Sequence, residues 1–251
     1  MRRFFTLFGR EVAGSFHQPM AWIVLCFFLV ITGFNFHAGV TLLNGSSGST
    51  TMVEAFFNTV YFWFPFLLVF PLITMRVFAE EVKMGTIEML MTAPVRDIEV
   101  VLAKYFGALF FYIVLWLPSA LYFVVFQMVT DVSAGGAAGS YLGACAMVVL
   151  LGMFYCSVGC LASALTDNQI VAAVMAFAAI LFMFFLGLIS LLLPGGGAFV
   201  REIVYFFSPV QHMMDFSRGL IDTRPIAFYL SATALVLFAT YQVFQHRRWK
   251  S

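Results

Sequence analysis

The chain has 251 residues, of which 63% are hydrophobic and only 10% are Asp, Glu, Lys or Arg, with a formal net charge of +1. A soluble domain carries roughly 25% charged residues, so a water-soluble globule is excluded. The net charge itself says nothing about nucleic acid, because the charges are divided among short loops, and no nucleic-acid partner is expected.

Taken in chain order, residues 3–18 read as an amphipathic helix. Phe5, Phe8, Val12 and Phe16 recur at helical spacing, and Arg3, Arg10 and Glu11 add charge away from them. Such a helix lies in the membrane interface, and Pro19 punctuates its end. Six stretches of 21 residues or more then lack any Asp, Glu, Lys or Arg. About 20 apolar residues cross a bilayer core as a helix. The expected spans are 20–43, 55–75, 105–129, 139–165, 169–193 and 226–244. All six are expected to be helices, because backbone polar groups in lipid must be satisfied within the segment. The apolar run after Arg10 is too long for a cleaved leader and no small-x-small site ends it, so the first span is expected to stay as an anchor. Turn signals at 44–49, 133–136 and 194–197 separate the spans. Ten Lys and Arg fall on the side of the N-terminus and three on the other. That bias places both termini in the cytoplasm.

The loop at 76–104 holds nine of the 25 charged residues. Phe78, Val82, Gly85 and Met89 give it one apolar helical face, and Pro94 closes that helix or the loop after it. Asp97 and Glu99 suit the N-terminus of the helix that leads into the third span. A bare connection needs about five residues, so 29 residues of mixed charge imply a docking surface for a soluble partner. In the fourth span Gly152, Cys156, Cys160 and Ala164 recur every four residues, which lets helices approach closely. Whether that face packs within the chain or across a dimer is open. All four cysteines fall in spans and read as buried free thiols. The outer segment 198–225 is too apolar for a plain loop. It reads as two short helices broken at Ser208-Pro209, the second capped by Gly219, dipping into the outer leaflet as a lid or a gate.

There is no phosphate-binding G-x-x-x-x-G-K-[ST] loop and no H-E-x-x-H or Cys-His cluster. His17, His37, His212 and His246 are scattered, so neither a metal nor another cofactor is expected on this chain. No formal charge sits at a span centre, where ion-coupled transporters place carboxylates. An external energy source is therefore expected.

Ala79-Glu80-Glu81, Gly85-Thr86-Ile87-Glu88, Leu90, Thr92-x-Pro94 and Lys104 resemble the coupling region of ABC-2 type transporter permeases. The run Ser208-Pro209, His212, Phe216, Arg218-Gly219 and Ile221-Asp222 is similar to the gliding-motility-associated branch of that family. The resemblance implies an all-α integral membrane protein forming one domain over 1–251. Its parts are an interfacial helix (1–19), spans one and two (20–75), a cytoplasmic coupling segment (76–104), spans three to five (105–193), a re-entrant segment (194–225), span six (226–244) and a tail (245–251). It further implies a permease paired with a second permease, alike or related, and served by two copies of a separate ABC ATPase that holds ATP and Mg. The setting would be the bacterial cytoplasmic membrane, in contact with lipid, and the direction export. Glu80, Glu81, Gly85, Thr86, Glu88 and Pro94 would meet the ATPase, with Gly85 permitting close backbone approach. Ser208, Pro209, His212, Arg218 and Gly219 would shape an outer gate. Two other readings stay open: a membrane anchor that recruits a soluble complex through 76–104, and an enzyme acting on lipid, for which no residues cluster.

Overall fold

The computed structural model describes residues 2–45, 50–86, 96–130, 138–192 and 205–248, and among these every regular element is a helix. In chain order they are α1 (Arg2–His17), α2 (Pro19–Gly45), α3 (Met52–Phe57), α4 (Val60–Thr74), α5 (Ala79–Lys83), α6 (Asp97–Thr130), α7 (Ala138–Leu165), α8 (Gln169–Leu192), α9 (Pro209–Ser217) and α10 (Thr223–Arg248). Six of them, α2, α4 continued through α5, α6, α7, α8 and α10, are long and apolar enough to cross a membrane. They alternate in direction. One end of the bundle therefore gathers α1, α5 and the close of α10, and the other gathers α3, α9 and its start.

One boundary differs from the sequence reading. The expected second span, 55–75, is broken: α3 ends at Phe57, and Asn58-Thr59 separates it from α4. Thr51 accepts a hydrogen bond from the Glu54 amide and so starts α3, while the Thr59 hydroxyl donates to the Ala55 carbonyl and helps stop it. The third span lies in a helix that opens at Asp97, with Asp97 and Glu99 in its first turn as expected. At about 1.5 Å per residue, the 34 residues of α6 reach roughly 50 Å, well beyond a hydrocarbon core of about 30 Å. The excess carries α1 and α5.

Helix α1 lies along this extension, with Phe4 against Phe106, Phe8 against Phe110 and Phe16 against Phe111. Its packed stripe is Phe4, Leu7, Phe8, Glu11, Val12, Ser15 and Phe16, whereas Phe5 is exposed. Glu11 thus belongs to the packed face rather than the charged one, because α6 offers it a buried cation.

The small-residue stripe of α7 packs inside the chain. Cys156 and Cys160 are fully buried and Ala164 nearly so. A Cβ on Gly152 would overlap the ring of Tyr112 on α6. Gly159, which the four-residue spacing misses, lies equally tight against Thr74 of α4. Phe66, Phe70, Tyr112, Trp116 and Tyr155 interlock around this contact, their ring centres 4.8–6.5 Å apart.

Candidate functional site

Residues expected to carry function gather at both ends of the bundle. The first group is built on α5, which is five residues long and buries little of its own surface. A helix this short is not stable alone, so neighbours must hold it. Ser163 of α7 does so. Its fully buried hydroxyl accepts from the amides of Phe78 and Ala79, both at 3.0 Å, and donates to the Met75 carbonyl at 3.1 Å. Three backbone groups at the turn into α5 are thereby satisfied by one side chain, as a buried backbone requires. Phe78 also packs against Phe244 of α10, the rings tilted at 59°.

The second tie is ionic. Lys104 is 3% exposed, and its ammonium lies 2.8 Å from Glu81 and 3.4 Å from Glu11. Phe78 presents its ring 5.6 Å below the same ammonium. Arg10 flanks both acids at 3.2 and 3.8 Å from a more exposed position. A buried cation needs paired carboxylates to offset its lost hydration. Lys104 has two, one from α1 and one from α5, so the three elements are fastened at one point.

Among the sequence-predicted residues, Glu81 therefore turns inward. Glu80 is half-buried, and Lys83, Met84, Gly85 and Thr86 form the exposed tip. Glu88, Pro94 and the expected continuation of the helix to Met89 lie outside the described residues. Helix α5 itself ends at Lys83, because Gly85 adopts φ +70° and its amide turns back to the Val82 carbonyl. Among the described residues nothing lies within 4 Å of a Cβ built on Gly85. The glycine is required here by the left-handed backbone.

At the other end α9 is wedged among α3, α7 and α8. Ser208 is its N-cap, accepting from the Gln211 amide at 3.2 Å, and Pro209 follows in the first turn. Its close is a Schellman motif. The Gly219 amide donates to Phe216 and the Leu220 amide to Asp215, with Gly219 at φ +81°. This is the cap expected of Gly219, and Arg218 stands beside it, exposed. Close approach is enforced at Gly143, where a Cβ would stand 2.5 Å from the Phe216 carbonyl oxygen. Asn58 reaches over from the α3 break to the Ser217 hydroxyl at 3.3 Å. His212 is 2% exposed, with Nδ1 3.2 Å from the Tyr229 hydroxyl. Burial pushes its pKa down to about 4, against the opposing pull of Asp215 and Asp222. Tyr205 donates to Asp215, and that bond, with burial behind it, holds the phenol up at about 12.

Sequence reasoning missed Ser163 and the bridging part played by Lys104. A signal for Ser163 existed: a hydroxyl within an apolar span must find a partner, and Ser163 sits between Cys160 and Ala164 on the small-residue helix. Residues 31–241 match the family model described as ABC-2 family transporter protein, a range that holds Ser163, Lys104, Glu81 and the α9 group but begins after α1 and so leaves out Arg10 and Glu11. The match reaches the family and lends no support to the gliding-motility-associated branch. No curated protein matches the chain.

Proposed function

The chain belongs to the ABC-2 family of transporter proteins, and on that premise we propose that it is the permease through which a separate ATPase drives export across a bacterial cytoplasmic membrane. The observation that carries this reading is the double fastening of α5: Ser163 ties it to span α7, and Lys104 ties it to α6 and α1. A push on the exposed tip at 83–86 is passed to three membrane-associated helices, which is the mechanical property a coupling segment needs.

On this reading ATP and Mg belong to the partner, two ATPase copies serve two permease subunits, and the tip docks against each ATPase on the cytoplasmic side. The lysine and arginine bias of the loops favours that orientation. Glu80, Lys83, Met84, Gly85 and Thr86 make the contact, and Glu81 transmits it. The α9 wedge, with Ser208, Pro209, His212, Arg218 and Gly219, closes the outer side of the path.

Met84 is 61% exposed, so Met84→Asp, combined with Lys83→Glu, leaves the fold intact. The ATPase is expected to co-purify with the wild-type permease in mild detergent and to be lost from the double variant. Full retention with the double variant would remove the docking role from this tip.

A further inference from the structure

Beneath α1 lies a cavity of about 310 Å³, walled by α1, the start of α2, the end of α4, α5 and α6. Its lining is graded along the bundle axis. The mouth carries three bases, Arg10, Arg76 and Lys104, and three acids, Glu11, Glu80 and Glu81. One to two turns further in, the walls are Val24, Leu72 and Phe111. Phe111 stands seven residues beyond Lys104 on α6, or about 10 Å at 1.5 Å per residue. Charge at the rim and apolar surface towards the bilayer centre is the polarity of a lipid.

Most of these charges satisfy one another, but two atoms do not. Arg76 Nε and Glu81 Oε2 are both shut off from solvent, and among the described residues neither has a hydrogen-bond partner. The Arg76 guanidinium is fixed by Gln18, which accepts from Nη1 at 3.0 Å. The unmatched pair is thus one cationic donor and one anionic acceptor. Leaving either unpaired is unfavourable. A ligand that answers both brings an anionic oxygen and a hydrogen-bond-donating cation.

We propose that this cavity holds the phosphoethanolamine headgroup of a membrane phospholipid. The phosphate lies against Arg76, the ammonium against Glu81, and the first part of an acyl chain along Val24, Leu72 and Phe111. Equal numbers of acids and bases at the rim disfavour a purely anionic headgroup. A trimethylammonium has no N–H to give Glu81. The volume sits at the lower end of the roughly 300–1,000 Å³ of small-molecule sites, so it admits a headgroup while the remaining chains stay in the bilayer. The bound lipid would join α1 to α2, α4 and α5. The inference does not depend on the transport reading.

Native mass spectrometry of the full chain, delipidated in detergent and offered equimolar phosphatidylethanolamine, phosphatidylcholine and phosphatidylglycerol, tests it. One phosphatidylethanolamine per chain is expected to be retained in preference to the other two. Retention should fall about tenfold or more in Arg76→Gln and in Glu81→Gln, the scale of a lost hydrogen bond to a charged group. Gly14→Leu is the folding-neutral arm: Gly14 lines the cavity, and a Cβ there meets nothing within 4 Å. It removes no charged group, narrows the mouth beside Arg10 and Glu11, and should abolish retention. Equal retention of the three lipids, unchanged retention in Gly14→Leu, or displacement by equimolar free O-phosphoethanolamine would each overturn the assignment.

Discussion

At one end of the bundle α5 and the turn into it are held by three hydrogen bonds to Ser163 and by the Glu81–Lys104 pair, with Ala79 the buried side chain of α5. At the other end, six of the nine residues of α9 are buried among three helices. Polar ties act over a few tenths of an ångström and in one direction. Apolar contact is non-directional and grows with buried area. A segment fastened by a few atoms moves with what it is fastened to, and can be released by changing those atoms. A segment held by area stays put until its neighbours separate. The α5 end has the construction of a lever, the α9 end that of a wedge.

The largest expected effect tests the ionic tie. Lys104→Met leaves Glu81 and Glu11 facing a buried position with the more exposed Arg10 as their remaining cation. Breaking a buried pair from one side costs about 3–5 kcal/mol, to be read as lower thermal stability in mild detergent. Lys104→Met with Glu81→Leu is expected to recover much of that loss, because the uncompensated acid is gone. If the single and double variants lose equal stability, the pair is not the fastening and the lever description fails.

The second effect belongs to the wedge and depends on pH. His212 titrates near 6.5 when unfolded and at about 4 in place. Above pH 6.5 the ring is neutral in both states and contributes nothing. Between pH 6.5 and about 4 the unfolded chain binds a proton that the folded chain refuses, so stability falls as pH falls, by up to about 3 kcal/mol. His212→Asn keeps a group able to meet the Tyr229 hydroxyl and does not titrate. Its stability relative to wild type should rise steadily through this window in thermal scans from pH 7.5 to 4.5. Parallel curves would show that His212 is hydrated and the wedge less tightly closed than its burial indicates.

The spans were legible because lipid imposes a rule that composition alone records: no charge for about 20 residues. The turn chemistry at Gly219 was legible for a similar local reason, since a left-handed helix end wants glycine. What escaped depends on partners distant in sequence. Glu11 looked like part of a charged face until α6 supplied Lys104. Gly85 was picked out as a contact point, and its positive φ adds that it also stops α5. Asn58-Thr59 carries no strong breaking signal, yet it divides the second span so that α3 can rest on α9. Gly152, Cys156, Cys160 and Ala164 announced a packing face, and only the ring of Tyr112 showed that it turns inward.

Ser163 is the sharpest probe of the comparison because its change is the smallest. Ser163→Ala removes one oxygen, fits the same space and leaves α7 helical. It strips the Phe78 and Ala79 amides and the Met75 carbonyl of their shared partner. A buried group left unsatisfied costs about 1–3 kcal/mol, and the loss is local, since Lys104 still holds Glu81. Hydrogen–deuterium exchange should therefore quicken across 78–83 while 209–217 keeps its protection. Quickening at both ends together would mean that the bundle opens as one unit, and that lever and wedge are a single body. Quickening at neither would mean that the area buried by Phe78 against α10 already suffices to seat α5, so that the polar ties direct the segment rather than hold it.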